Sequence, residues 1–172
     1  MNDSKIRKLV LASLFAALTY VMTMVVQIPS PMQGYVNLGD CAVLLSAWIL
    51  GPVYGGAAAG IGSMLADLLS VYAHYAPGTF AIKLAMAVAA SLIFRALQSH
   101  SSHNLLVSQA VSGAAAEVIM VVGYFGYASL WLGKGLAAAA SIPGNIVQGV
   151  FGLAAAAAVY AVLSKSRALA RV

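Results

Sequence analysis

Long apolar runs with very few charged residues make up most of this chain of 172 residues. One of them, "CAVLLSAWILGPVYGGAAAGIGSMLADLLSVY", follows Asp40 directly and contains one further acid, Asp67, and no base. Charged residues account for 8% of the chain, whereas a soluble domain carries about 25%. Because so few polar groups cannot cover a globular surface in water, the sequence predicts a protein surrounded by lipid.

The apolar runs have about the length of membrane-spanning helices, which need about 20 residues each. Prolines, Gly-Pro and Pro-Gly pairs and short polar segments separate them. A transmembrane β-barrel is excluded because the Ala-rich runs show no alternation of period two. The sequence therefore predicts an all-α membrane protein, one domain over residues 1–172 that forms a compact bundle of six transmembrane helices, at about residues 6–28, 38–50, 54–72, 80–97, 105–130 and 136–163.

The basic residues beside these spans predict the orientation of the bundle, because cytoplasmic loops carry an excess of Lys and Arg. With six spans, the side opposite the termini carries Lys83 and Lys134. The other side is far more basic, which predicts that both the N- and C-termini are cytoplasmic and that the protein lies in a prokaryotic plasma membrane. This topology also explains the net charge of +5, so we expect no nucleic-acid partner. The basic residues on the side of the termini are Lys5, Arg7, Lys8, Arg95, Lys165, Arg167 and Arg171.

The chain lacks the sequence signatures of an enzyme or an ATPase. It contains no GxxxxGK[ST] P-loop, no HExxH and no Cys/His spacing typical of a metal site. The segment "GGAAAGIG" matches neither a P-loop nor GxGxxG, and it lies inside a predicted span. The single cysteine, Cys41, excludes an internal disulfide. We therefore expect no catalytic residues, no metal and no cofactor.

Most polar residues of the predicted spans lie in the outer half of the bundle. An ionisable residue in a span costs about 2.5–3.5 kcal/mol on insertion scales, so such residues are usually paired or line a cavity. Asp67 and Lys83 flank the loop around Tyr75 at equal distances, and we predict that they form an ion pair, which either staples the hairpin or belongs to a ligand site. Asp40 begins a span after Gly39, where an N-cap is the expected role.

Spans five and six contribute further polar candidates. Glu117 has no predicted partner of opposite charge, so it either binds a ligand group, forms a hydrogen bond with span six or is protonated. Pro143-Gly144 before Asn145 indicates a broken or late-starting helix, which is tolerated at membrane depth where it lines a cavity. Tyrosines such as Tyr124 could stack on a flat ring, although interfacial tyrosines are also common in membrane proteins.

Small residues in span one predict close helix contact. Ala12 and Ala16 form a small-xxx-small pair, and Ser13 and Ala17 form a second pair beside it. Such spacing lets two helix backbones approach each other closely. The partner is usually another helix of the same bundle, but for span one an external helix is also possible, and the sequence leaves both alternatives open.

Four motifs in order resemble those of a known family: "YVNLGD", "GPVYGGAAAGIGSMLADLL", "PGTFAIK" and "SIPGNIVQGVFG". They are similar to the motifs of S components, the substrate-binding membrane subunits of energy-coupling factor (ECF) vitamin transporters. The resemblance covers about Lys8 to Leu163 and is nearest to the groups that serve hydroxymethylpyrimidine, pyridoxine-like and riboflavin-like compounds. It implies a six-helix bundle that captures a vitamin at the outer face and delivers it through a transmembrane coupling subunit, driven by two ATPase subunits.

The resemblance also implies roles for individual residues. Ala12 and Ala16 match the motif with which the family docks on the coupling subunit. Asp40 is expected to cap its span and to fix the preceding loop as a lid over the ligand. The residues implied in substrate binding are Tyr35, Asn37, Asp67, Lys83, Glu117, Tyr124, Asn145 and Gln148.

The function predicted from the sequence is thus a binding subunit for a small vitamin, with hydroxymethylpyrimidine or a pyridoxine-like compound as the expected substrate. The alternative is a stand-alone secondary transporter or a small membrane enzyme. A secondary transporter is disfavoured because the chain is short and shows no inverted repeat. A membrane enzyme is disfavoured because no catalytic constellation is present.

Overall fold

The computed structural model describes residues 3–25, 27–30, 34–99 and 104–166. Arg167 and Arg171, used for the orientation prediction, lie outside these ranges. Within them, five helices are long and apolar enough to cross a membrane, so the prediction of an all-α membrane protein is confirmed. The helices are α1 (Asp3–Val25), α2 (Gly39–Leu68), α3 (Ala76–Ser99), α4 (Leu105–Gly126) and α5 (Ile142–Lys165).

The helix α2 reverses its direction at Gly51. This glycine has a φ of 86°, which favours glycine, and the next residue, Pro52, has no N–H with which to continue the helical ladder. Ser46 and Gly55 would be about 13 Å apart along a straight helix. Yet the Ser46 hydroxyl donates a hydrogen bond to the Gly55 carbonyl oxygen at 3.2 Å. Residues 39–50 and 52–68 therefore run antiparallel, as a first and a second arm of α2.

The predicted count of six spans is not confirmed, because α2 is one helical element where two spans were predicted. The predicted boundary at Gly51-Pro52 nevertheless coincides with the reversal. The first arm is about 18 Å long, which is too short to cross a hydrocarbon core of about 30 Å. Nearly all of its residues are buried, so this arm lies in the centre of the bundle and contacts other helices on every side.

Glycines of the second arm allow two close backbone contacts. A Cβ atom at Gly55 would overlap the carbonyl oxygen of Ser46 in the first arm. A Cβ atom at Gly62 would overlap the carbonyl oxygen of Ala16 in α1 and lie 2.8 Å from the Cβ of Thr19. The Gly-rich sequence of α2 thus serves packing inside the bundle.

The same contacts place Ala12 and Ala16, which were predicted to dock on a coupling subunit, beside α2. Ala12 is buried in a small apolar cluster between α1 and α2, and the carbonyl of Ala16 faces Gly62. Both alanines therefore pack α1 against α2, and Ala16 remains half-exposed. The neighbouring pair, Ser13 and Ala17, is exposed.

A two-stranded antiparallel hairpin connects α1 to α2. Its strands are β1 (Ile28–Ser30) and β2 (Gly34–Val36), and their register places Pro29 opposite Tyr35. These strands were not predicted, because a strand of three residues is too short to show an alternating pattern. The hairpin positions Tyr35 at the end of the bundle where α2 begins.

The connection from α4 to α5 is irregular and short. A π-helical turn (Tyr127–Trp131) extends α4, and a 3₁₀ segment (Gly135–Ser141) precedes α5. Pro143 lies in the first turn of α5, where its missing N–H leaves no hydrogen bond unmade. This start agrees with the late-starting helix predicted before Asn145.

We predict that Gly55→Ala lowers the stability of the bundle by about 1–3 kcal/mol, because the added methyl group meets backbone atoms that cannot move aside. Gly126→Ala is the matched control, since the added methyl group there has no atom of another described element within 4 Å. Thermal unfolding in detergent should show a lower midpoint for the first variant and an unchanged or higher midpoint for the second. Equal midpoints for the two variants would contradict the close contact of the two arms.

Candidate functional site

A cavity lies at the end of the bundle that holds the hairpin. Its empty volume, including the part continuous with solvent, is about 630 Å³. Its wall is formed by the end of α1, the hairpin and the loop before α2, the second arm of α2 and the loop after it, the beginning of α3, the end of α4 and the beginning of α5. The lining residues are Thr23, Tyr35, Asn37, Ser63, Asp67, Tyr72, Tyr75, Lys83, Tyr124, Ser141, Asn145 and Gln148.

The structure brings together seven of the eight side chains that the sequence indicated for substrate binding. They come from five different elements, and their convergence depends on the reversal of α2, which returns the end of that helix to the level of its beginning. The eighth residue, Glu117, does not line the cavity. The seven are Tyr35, Asn37, Asp67, Lys83, Tyr124, Asn145 and Gln148.

A buried ion pair forms the floor of the cavity. The Lys83 ammonium group donates a hydrogen bond to the Asp40 carboxylate, and the two side chains are 5% and 0% exposed. Lys83 Nζ also donates to the Met120 sulfur at 3.2 Å and lies 5.6 Å from the centre of the Tyr124 ring. The prediction that Lys83 pairs with Asp67 is therefore wrong, because the first arm of α2 brings Asp40 to the same ammonium group.

Asp40 also differs from the N-cap predicted for it. Leu38 occupies the N-cap position of α2 without a side-chain hydrogen bond. The amide oxygen of Asn37 accepts a hydrogen bond from the Gly39 N–H at 2.7 Å, which provides the local contact expected of Asp40. The Asp40 carboxylate is thereby free to point into the bundle.

Gln148 connects this ion pair to the loop before α2. Its Nε2 donates to Asp40 Oδ2 at 2.6 Å, and its Oε1 accepts from the backbone N–H and the side-chain Nδ2 of Asn37, both at 3.0 Å. Both oxygens of the Asp40 carboxylate are therefore hydrogen-bonded. Such full satisfaction is what a buried charge requires, because its desolvation costs several kcal/mol.

Asp67 belongs to a second hydrogen-bonded group. It accepts from the Tyr35 hydroxyl at 2.9 Å and from the Thr79 hydroxyl at 2.5 Å, and Tyr124 donates to Thr79 at 3.1 Å. Burial, and then the charge of Asp67, raises the pKa of the Tyr35 hydroxyl above its ordinary value. The hydroxyl therefore stays protonated and continues to donate, which ties the hairpin to α2.

Aromatic rings surround the mouth of the cavity. Tyr35 and Tyr72 lie with their ring centres 4.8 Å apart, and Tyr75 lies 6.4 Å from Tyr124. The ammonium group of Lys134, in the connection between α4 and α5, donates to the Tyr75 hydroxyl at 2.9 Å. Four tyrosine rings thus offer flat apolar surface next to the polar floor.

Glu117 lies in a separate groove between α4 and α5. Both of its carboxylate oxygens are buried, and neither has a hydrogen-bond partner among the described residues. A Cβ atom at Gly149 would lie 2.8 Å from Glu117 Oε2, so the carboxylate sits against the glycine of α5. The other residues of the groove are apolar: Ala114, Val118, Val121, Val122, Ile146, Val150 and Leu153.

Helical spacing could have found two further polar residues, namely Ser63 in the cavity lining and Thr79, which donates to Asp67. Thr79 precedes Lys83 by four residues on α3, and Ser63 precedes Asp67 by four residues on α2. Residues four apart share one face of a helix. A charged residue that faces a cavity therefore identifies its neighbour one turn away as a further candidate.

Comparison with known families gives a match over nearly the whole chain. The family model of the ECF-type riboflavin transporter S component matches residues 3–165. A protein of Pyrococcus woesei, described as an uncharacterized protein in the gap 3′ region, is 36% identical over 134 residues, which cover 77% of this chain and 85% of the relative. A solved structure titled "Structure and mechanism of the S component of a bacterial ECF transporter" is similar, with a TM-score of 0.68 over 94% of this chain and 97% of that chain. At 20% identity, this likeness shows a shared fold.

We predict that Lys83→Met destabilises the bundle by about 3–5 kcal/mol, because it leaves the Asp40 carboxylate buried without its cation. Adding Asp40→Asn should recover part of this loss, while adding Asp67→Asn should recover less. The measurement is a double-mutant cycle for each pair, from thermal or denaturant unfolding in one detergent. Additive effects of Lys83→Met and Asp40→Asn would rule out the pair.

Proposed function

The chain belongs to the family of ECF-type riboflavin transporter S components, and from this we propose that it captures a flat, uncharged, nitrogen-containing ring vitamin in the cavity beside Lys83. As a member of the family, it is a substrate-binding membrane subunit that associates with other components of an ECF transporter. The main observation behind the choice of ligand is that Lys83, the one cation in the described lining, is already paired with a buried carboxylate.

The charge pattern disfavours anionic ligands. The charge of Lys83 is matched by Asp40, and Asp67 adds a second carboxylate to the lining. A phosphate or carboxylate group on the ligand would therefore enter the site without a free cation to pair with, at a depth where unpaired charge is costly. We expect the free vitamin to bind and its phosphate ester to be rejected.

The shape of the lining supports a flat ring. Tyr35, Tyr72, Tyr75 and Tyr124 offer aromatic surface on which a ring can stack. The half-buried amide of Asn145 can both donate and accept a hydrogen bond at a ring edge. Glu117 is not among the residues that we propose for the ligand, because it lies in the other groove.

Three vitamins share these properties. The sequence motifs indicate hydroxymethylpyrimidine or a pyridoxine-like compound, and the matching family is named for riboflavin. Each is a flat nitrogen heterocycle with polar groups at its edges and no phosphate. We propose that the ligand is one of these three, with riboflavin as the first compound to test.

The position of the cavity supports capture from outside the cell. Lys5, Arg7 and Lys8 near the start of α1, and Lys165 at the end of α5, lie at the ends of their helices remote from the cavity. Because basic residues favour the cytoplasmic side, we place the cavity at the outer face of the plasma membrane. Two ATPase subunits would then drive delivery through a coupling subunit.

We further propose that the exposed face of α1 contacts the coupling subunit. Ser13 and Ala17 are small and exposed, and the Ser13 hydroxyl donates to the Leu9 carbonyl at 3.0 Å. Since that hydroxyl is satisfied within its own helix, the face behaves as an apolar surface. Leu14 and Leu18 flank it and are 61% and 41% exposed, so a second helix can approach closely there.

We predict that the purified protein binds riboflavin, pyridoxine or hydroxymethylpyrimidine, and that the phosphate ester of the bound compound binds at least about 100-fold more weakly. Calorimetric titration in detergent measures both constants, and mass spectrometry identifies any compound that co-purifies. Tyr35→Ala should weaken binding by about tenfold through loss of ring contact. Tyr20→Ala, on α1 outside the lining, should leave it unchanged. Equal affinity for the vitamin and its phosphate would contradict the charge argument.

We predict that Ala17→Trp reduces vitamin uptake by about tenfold or more, because a large ring prevents close approach of the coupling helix. Ligand affinity in detergent should stay the same. Leu92→Trp is the control, since Leu92 is an exposed residue of α3, away from α1. Ala16→Trp should instead destabilise the isolated bundle, because the carbonyl of Ala16 faces Gly62. Normal uptake by the Ala17→Trp variant would exclude this face from docking.

A further inference from the structure

One buried hydroxyl group of the cavity is left without a hydrogen bond. Ser63 lies on the second arm of α2 and is 2% exposed. It lines the cavity, and no protein group among the described residues forms a hydrogen bond with its Oγ. A buried polar group without a partner destabilises a protein. The hydroxyl of Ser63 therefore costs stability in the ligand-free protein.

Four other helical hydroxyls form a hydrogen bond that Ser63 lacks. A serine or threonine within a helix commonly donates to the carbonyl four residues before it. Ser13, Thr19, Thr23 and Ser112 all do so, with distances of 2.6 to 3.0 Å. Ser63 makes no such bond with its own helix, so its donor and its lone pairs both remain available.

The other two serine and threonine hydroxyl groups that line the cavity also donate hydrogen bonds to their own helical segments. The Thr23 hydroxyl donates to the Thr19 carbonyl at 2.7 Å, and the Ser141 hydroxyl donates to the Ala138 carbonyl at 2.8 Å. Of the serine and threonine residues in the described lining, Ser63 alone has an uncommitted hydroxyl. A ligand that enters the cavity meets this group as a free hydrogen-bonding partner.

The backbone of Ser63 is held in place on both sides. The preceding residue, Gly62, contacts the backbone of α1 so closely that a Cβ atom there would overlap the Ala16 carbonyl. One turn later, Asp67 is fixed by hydrogen bonds from Tyr35 and Thr79. The position of the hydroxyl is therefore set before a ligand arrives, which lowers the entropic cost of binding.

We propose that Ser63 determines specificity by forming a hydrogen bond with the polar edge of the vitamin. This inference rests on the proposed function, since it assigns a contact within that same site. A hydroxyl both donates and accepts, so it suits an edge that presents a ring N–H, a ring carbonyl or a hydroxyl group. A ring with a hydrocarbon edge at this point would leave the hydroxyl unpaired and would be rejected.

The first test compares Ser63, which lines the cavity, with a buried serine that lies outside the lining. Ser63→Ala should weaken riboflavin binding by about tenfold and leave the unfolding temperature of the ligand-free protein unchanged or higher, because it removes an unpaired buried hydroxyl. Ser91→Ala is the matched control: Ser91 is 0% exposed, its Oγ also has no partner, and it lies on α3 outside the cavity lining. It should leave the affinity unchanged and should not lower the unfolding temperature. Pyridoxine and hydroxymethylpyrimidine are titrated in the same way.

An unchanged affinity of the Ser63→Ala variant for a vitamin that the unaltered protein binds would overturn the proposal. An equal loss in the Ser91→Ala variant would also overturn it, because the effect would then come from packing. If the unaltered protein bound none of the three vitamins, the proposed ligand class would fail, and Ser63 would be judged by the second test.

The second test needs no known ligand. Ser63→Cys and Ser91→Cys are each treated with a small water-soluble methanethiosulfonate reagent, and modification is followed by mass spectrometry. The native Cys41 is 2% exposed and belongs to the core, so it reports unspecific reaction. We expect modification at position 63 and none at position 91. Absence of modification at position 63 would overturn the proposal whichever vitamin binds.

Discussion

The buried ion pair between Lys83 and Asp40 is the contact on which the arrangement of the helices depends. A bundle in lipid gains little from the hydrophobic effect between its helices, so close packing and interior polar contacts specify their positions. Here the ammonium group comes from α3, the carboxylate from the first arm of α2 and the bridging amide of Gln148 from α5. One polar cluster thus fixes the relative positions of α2, α3 and α5, and it forms the floor of the cavity.

The sequence predicted where the site lies better than it predicted which residues touch. Polar residues at similar depth in several spans indicated one end of the bundle, and this holds for seven of the eight candidates. The partner of Lys83 was wrong because equal distances from a loop show only that two residues can meet. They do not reveal a third residue, Asp40, brought to the same place by the reversal at Gly51.

Sequence spacing also failed to identify the contact partners of the small residues of α1 and the pairing of the hairpin strands. A small-xxx-small pair predicts that two backbones approach closely, but its spacing is the same for a helix of the same chain and for one of another protein. Only the position of α2 beside Ala12 and Ala16 distinguishes the two. The strands β1 and β2 are held by backbone pairing over three residues each, and so short a segment shows no side-chain pattern.

The first arm of α2 has a consequence for how the protein is made. An arm this short, with a carboxylate at its beginning, cannot enter the bilayer and remain there as an independent segment. Its carboxylate is bridged by Gln148, which the ribosome adds 108 residues after Asp40. The network at the centre of the bundle is therefore completed only when the last helix is inserted, and a chain that ends before α5 leaves one oxygen of the Asp40 carboxylate without its partner.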